Sequence, residues 1–264
     1  MTVPIKTKVA ACQIKCIDGD REGNFERIEK ALQQLENANI ACFPECSLLG
    51  WLNPKAHQLA NTIPGPDSER LCSLAKKYNI MISVGLAEKE GNKLYDSAVL
   101  LDNKGDIILK HRKINLITIV MNPDEPEITM KTPYTPGDGV SVVTTRFGRI
   151  GMLICADTFK GNILKQMREK KPDLLIIPYG WAEKREKWPD HGKKMERLVK
   201  RVARKVNASV IGTDLVGEIT SSPWKGYIYG GQSVIADKTG EILAVGKDRE
   251  SDILIQDIMT LPLQ

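Results

Sequence analysis

Several features are scarce in this 264-residue chain, and each scarcity narrows what it can be. Aromatic residues amount to 5% and histidines number three. So few rings give little surface for stacking single-stranded nucleic acid, and His57, His111 and His191 are scattered without metal-ligand spacing. No apolar run approaches the ~18–20 residues that cross a bilayer as a helix. Met1–Lys8 lacks the apolar core of a secretory leader, so a cytoplasmic location is expected. In that compartment the six cysteines, Cys12, Cys16, Cys42, Cys46, Cys72 and Cys155, read as thiols and not as a disulfide framework. No linker and no solenoid-period repeat divides the chain, so a single domain spanning 1–264 is expected.

What is present is the mix of an ordinary globular protein: 42% hydrophobic and 27% charged residues. Disorder and coiled-coil rods are excluded, and the length suffices for a substantial core. The net charge of +5 permits anionic partners without demanding any.

Hydrophobic patterning predicts strands at Lys8–Ile14, Ile40–Phe43, Ile80–Ala87, Ser97–Leu101 and Asp106–Lys110 in the first half. Asn24 is expected to cap a helix whose apolar face holds Phe25, Ile28, Ala31, Leu32 and Leu35, and Ser68–Tyr78 reads as a second helix. Asn122–Gly139, with four prolines and two glycines, is expected to be a long loop. In the second half, strands are expected at Ser141–Thr145, Arg149–Ile154, Leu174–Ile177, Ser209–Asp214, Gln232–Ala236, Ile242–Gly246 and Ile253–Asp257. Helices are expected at Asn162–Lys170 and Gly192–Asn207. Strand–helix alternation with hairpins between predicts a mixed sheet with helices packed outside.

Three residues follow strand ends, where α/β proteins present groups to ligands. Glu45 lies in Phe43-Pro44-Glu45, Lys113 in Lys110-His111-Arg112-Lys113, and Cys155 after Arg149–Ile154. A helix is expected just beyond Cys155, and a helix start favours a thiolate. Taken singly, each has an ordinary reading as a surface carboxylate, a solvated lysine or a small core side chain.

Taken together, Phe43-Pro44-Glu45, Lys110-His111-Arg112-Lys113 and Gly148-Arg149-Ile150-Gly151-Met152-Leu153-Ile154-Cys155-Ala156-Asp157 resemble the Glu-Lys-Cys motifs of the nitrilase superfamily of carbon–nitrogen hydrolases. Thr135-Pro136-Gly137-Asp138, Tyr229-Gly230-Gly231-Gln232-Ser233 and Gly240-Glu241-Ile242-Leu243-Ala244 extend the likeness from about Val9 to Ile255. The resemblance implies a four-layer αββα sandwich that commonly pairs with a second copy. It also implies Cys155 as nucleophile, Glu45 as general base, and Lys113 with the Ala156 N–H as oxyanion partners. Lys113 would also lower the thiol pKa. Many family members carry a second glutamate where this chain has Met130, with Glu125 and Glu127 nearby, and Glu127 is expected to join the site. Asn115 stands where the family often has histidine. Trp51, Tyr179 and Trp181 are expected to wall the pocket.

The reaction this implies is hydrolysis of a small linear amide or carbamoyl amine through a thioester, with no cofactor and no metal. Nitrile cleavage and acyl transfer stay open as alternatives. Two other readings compete. Cys12, Cys16, Cys42 and Cys46 could form a metal site, but their spacing departs from zinc knuckles and core packing is favoured. Lys193, Lys194, Arg197, Lys200, Arg201, Arg204 and Lys205 could make the helix Gly192–Asn207 a nucleic-acid surface. Without an aromatic platform, a solvated amphipathic face is favoured.

Overall fold

A strand buried on both faces must satisfy two cores at once, and the first strand does so by alternation. Val9 and Ala11 pack with Ile150, Met152, Ile176 and Val210, whereas Ala10 and Cys12 pack with Phe25, Ile28, Leu71 and Ala75. The computed structural model describes residues 3–122, 125–221 and 223–261, with the backbone alone between 119 and 131.

The first half runs β1 (Ile5–Gln13), α1 (Arg21–Leu32), β2 (Ile40–Cys42), α2 (Ala56–Leu59), α3 (Pro66–Tyr78), β3 (Met81–Glu90), β4 (Lys93–Leu101) and β5 (Ile107–Arg112). A hairpin of β6 (Thr118–Asn122) and β7 (Glu125–Lys131) follows. The second half runs β8 (Val142–Thr145), β9 (Gly148–Met152), α4 (Gly161–Glu169), β10 (Leu174–Pro178), β11 (Ala182–Glu183), α5 (Asp190–Val206), β12 (Ser209–Thr213), β13 (Val216–Glu218), β14 (Ile228–Gly230), β15 (Val234–Ala236), β16 (Ile242–Val245) and β17 (Asp252–Thr260).

Two six-stranded mixed sheets form, in the orders β17-β1-β2-β3-β4-β5 and β16-β15-β12-β10-β9-β8. They face each other across one apolar cluster; α1 and α3 cover the first sheet and α4 and α5 the second, giving the four layers expected. The last strand returns to the first sheet, pairing antiparallel with β1 from Ile5↔Thr260 to Gln13↔Asp252. Within each sheet the central strands are parallel, β1-β2-β3 in one and β9-β10-β12 in the other.

Two local expectations need correction. Asn24 does not cap α1: Asp20 does, its carboxylate accepting the Gly23 N–H at 3.2 Å. Asn24 is buried inside the helix and gives its amide to the Ile17 and Leu48 carbonyls at 2.8 and 2.9 Å, filling needs that only a buried donor can meet. The stretch Asn122–Gly139 is not all loop, because β7 occupies Glu125–Lys131; positions 123 and 124 lie outside the described residues. This strand pairs with β6 through Thr118↔Lys131, Ile119↔Met130 and Val120↔Thr129, and its Ile128 and Thr129 are β-branched residue types that favour strands despite the prolines. The helix expected at Asn162–Lys170 is α4, Gly161–Glu169, and a 3₁₀ turn, Cys155–Phe159, stands between it and the cysteine strand.

The basic helix α5 buries Met195, Leu198, Val199, Val202, Ala203 and Val206. Three of its cations are used within the chain: Arg201 donates to the Thr158 carbonyl, Arg204 to that of Thr239, and Lys193 pairs with Asp190.

Gly85 on β3 sets how closely the Glu45 segment lies on the sheet. A Cβ there would stand 2.5 Å from Glu45 Cα and 2.8 Å from the Pro44 carbonyl oxygen. Both obstacles are backbone and cannot rotate away. Gly85→Ala should therefore destabilise the protein by about 1–3 kcal/mol, as overpacked cores do. Urea unfolding checks this, and an unchanged midpoint would show that the segment yields freely.

Candidate active site

The carboxyl ends of parallel strands from both sheets meet at one place, where an α/β protein presents its ligand-binding groups. Glu45 follows β2, and its N–H donates to the Tyr179 carbonyl after β10 at 3.2 Å. Lys113 follows β5, where the period of two separates two tasks. Lys110 and Arg112 both reach the buried Glu88 on one face, while His111 and Lys113 turn to the other. The Thr135–Asp138 motif packs on this strand end: the Gly137 N–H donates to the Lys113 carbonyl at 2.9 Å.

The Lys113 ammonium donates to Glu45 Oε1 and to Asp96 Oδ2, the latter at 3.0 Å, and all three side chains are buried. Asp96, on β4, also accepts the Lys113 N–H on its backbone oxygen at 2.8 Å. Sequence reading missed it, although an aspartate opening the apolar run Ser97–Leu101 is unusual enough for a strand to have marked it. Burial first, and then the negative charge of Asp96, push the Glu45 carboxyl well above its ordinary range against the pull of Lys113. Burial draws the Lys113 ammonium downward, but Asp96 and Glu45 outweigh it and keep the group charged.

Cys155 sits in the left-handed region at φ 37°, a conformation that costs a non-glycine residue about 1–3 kcal/mol. Asp157 holds the turn that imposes it. One oxygen accepts the Ile114 and Asn115 N–H groups at 2.9 and 2.7 Å; the other accepts the Ile154 N–H at 3.0 Å and lies 2.8 Å from His111 Nε2. Asn115 closes the link by donating to the Ala156 carbonyl at 2.6 Å. The cysteine turn and the lysine strand are thereby fastened together through one buried carboxylate, another group the sequence reading overlooked.

The expected lowering of the Cys155 pKa is reversed. Burial and the charge of Glu45 push the thiol up, and Lys113 with the Gly180 amide only partly opposes them. The physical reason is first the burial of the sulfur and then the negative charge of Glu45, which together outweigh the pull of Lys113.

Cys155 and Lys113 line a cavity of about 220 Å³, and of the residues expected to wall it, Trp51, Ala156 and Trp181 do so. Phe159, Glu183, His191 and Trp224 also line it and were not anticipated. Tyr179 does not: it is fully buried behind the wall, its hydroxyl 3.4 Å from Thr158 Oγ1 and its ring edge-on to Trp181. The Glu127 side chain lies outside the described residues; its backbone is part of β7. Larger depressions of about 440 and 460 Å³ elsewhere contain none of Glu45, Lys113 and Cys155. Of the cysteines weighed as metal ligands, Cys16 turns to the Ser47 carbonyl and Cys46 to Asp96, so the four do not converge.

Comparison with known proteins places these features in context. The family profile described as carbon–nitrogen hydrolase matches residues 8–260. The omega-amidase NIT2 of Xenopus tropicalis is 28% identical over 237 residues, covering 87% of this chain and 81% of its own. The N-carbamoylputrescine amidase of Oryza sativa subsp. japonica is 26% identical over 265 residues, covering 96% and 85%. The crystal structure of a carbon–nitrogen hydrolase from Helicobacter pylori G27 superposes with a TM-score of 0.82 at 23% identity, covering 96% of this chain and 89% of that one.

Asp157→Asn would bring an extra N–H donor into a position already surrounded by donors. Its expected cost is about 1–3 kcal/mol in urea unfolding, the penalty for leaving buried partners unmatched. A neutral result would mean that Asp157 does not clamp the turn.

Proposed function

The chain belongs to the carbon–nitrogen hydrolase family, and we propose that it is an amidase cleaving small linear amides or carbamoyl amines through a Cys155 thioester. The observation that carries this reading is the buried Glu45–Lys113 pair beside a cavity that also exposes Cys155. The cavity volume of about 220 Å³ is below the roughly 300–1,000 Å³ usual for larger ligands and suits a short chain. The omega-amidase and N-carbamoylputrescine amidase relatives support an amide or carbamoyl substrate.

In this mechanism the thiol is protonated at rest and Glu45, its pKa raised, is a stronger base than an ordinary carboxylate. As Sγ attacks the substrate carbon, Glu45 takes the thiol proton. Lys113 and the Ala156 N–H stabilise the oxygen that becomes negative. Glu45 then protonates the departing nitrogen, the C–N bond breaks, and ammonia or an amine leaves a thioester. Water attacks that thioester after giving Glu45 a proton, the acid is released, and the proton returns to sulfur. The reading includes a homo-oligomer, in its simplest form a dimer, in the cytoplasm. Its six free cysteines suit a reducing compartment, and sedimentation should give a multiple of 29.4 kDa.

Cys155→Ala should abolish ammonia release while leaving the unfolding midpoint intact, and mass spectrometry of the wild type during turnover should find the acyl group on Cys155. Full activity in that variant would refute the thioester route. Lys113→Ala should lose roughly 2.7–4 kcal/mol of transition-state stabilisation, the scale of other oxyanion donors.

The pH dependence has a definite sign. Activity requires ionised Glu45, so kcat/KM should fall as pH drops through a limb lying above the ordinary glutamate range. Because the Asp96 charge raises Glu45, Asp96→Asn should move that limb to lower pH. A limb that stays in place would show that another group controls it.

A further inference from the structure

The cavity holds two formally charged side chains among the described residues, Lys113 and Glu183. Lys113 is already committed to Glu45 and Asp96. Glu183 is not matched: no lysine or arginine among the described residues comes within 4.0 Å of its carboxylate, and the nearest basic atom is His191 Nδ1 at 3.9 Å. Burial pushes the His191 pKa down to about 4, leaving that ring neutral near pH 7. Among the described residues, Glu183 Oε1 accepts the N–H of the adjacent Lys184, at 2.9 Å, and the side chain is 27% exposed.

A half-buried carboxylate with no lysine or arginine beside it among the described residues is left available to pair with an incoming positive charge. The surrounding wall favours the same charge. Trp51, Trp181 and Trp224 line the cavity with rings of the type that accept a cation over a face, as Trp51 does for the Lys113 ammonium at 5.4 Å. The arrangement is also held in place. Glu183 is paired to Ile228 through β11 and β14, the Trp181 N–H donates to buried Asp214 at 2.6 Å, and the Trp181 ring N–H donates to the His191 carbonyl at 3.1 Å.

We propose, resting on the amidase reading above, that Glu183 is a specificity-determining residue and that preferred substrates carry an ammonium group at the end remote from the scissile bond. A substrate ending in a carboxylate would meet a like charge at Glu183, and the described lining offers it no arginine.

The test compares kcat/KM for three amides of equal chain length ending in an ammonium, a methyl group or a carboxylate. The ammonium-ended amide should exceed the methyl-ended one by about tenfold or more, the scale of a partly desolvated charge contact. Glu183→Gln should collapse that ratio, and Glu183→Lys should shift preference toward the carboxylate-ended amide. A wild-type preference for either other amide, or a ratio that survives Glu183→Gln, overturns the proposal. A second readout needs no turnover: butylammonium should slow alkylation of Cys155 by iodoacetamide, while butanoate and butanol should protect much less, and Glu183→Gln should abolish the difference. Protection independent of charge overturns the subsite. If no amide is hydrolysed while charge-selective protection persists, the amidase reading fails and the ammonium subsite stands.

Discussion

Two buried carboxylates compete for one ammonium, and the rest of the site follows from that imbalance. Burying charges is costly, and a single ion pair hidden from water often repays little. Here Glu45 and Asp96 share Lys113, so the cluster retains an excess of negative charge when all three are ionised. Burial first, and that excess with it, makes Glu45 basic and opposes ionisation of the nearby thiol, while the two carboxylates keep Lys113 protonated. A cysteine in this setting does not wait as a thiolate. On the mechanism proposed above, its nucleophilicity is released by proton transfer to Glu45 when a substrate is in place, which would spare the resting thiol from indiscriminate reaction.

Such a cluster requires support from outside itself. Glu45 and Lys113 come from one sheet and Cys155 from the other, so the distance between the sheets sets whether they meet. Gly85 lets the glutamate segment lie flat, Glu88 anchors the opposite face of the lysine strand through Lys110 and Arg112, and Asp157 fastens that strand to the cysteine turn. None of these groups needs to contact a substrate. They convert two independently twisted sheets into one geometry.

Much of this was legible in the chain. Motifs around Glu45, Lys113 and Cys155 are local runs at strand ends, and buried strands announce themselves through continuous apolar residues. Less legible were groups whose work is defined across the fold. Asp96 acts on a lysine that lies one strand away, Asp157 joins segments about forty residues apart, and Glu183 stands out because no lysine or arginine among the described residues comes within 4.0 Å of it. The misplaced cap has a similar origin: Asn24 was assigned by its local helix signal, but loop carbonyls claimed its amide. Tyr179 was expected in the pocket because it follows a strand end, yet alternation turns it into the core and presents Trp181 instead.

The pairing of the first strand with the last has a consequence for assembly of the molecule. Ile5 finds its partner in Thr260 and Gln13 in Asp252, so the longest loop closure in the fold is also one of its most extensive ladders. During synthesis one edge of β1 stays unpaired until β17, about 240 residues later, has been made. An open edge is a template for unwanted strands, and contacts this distant in sequence form slowly. Completion of the first sheet is thus a late event, and loss of the final segment would expose an apolar strand along its length.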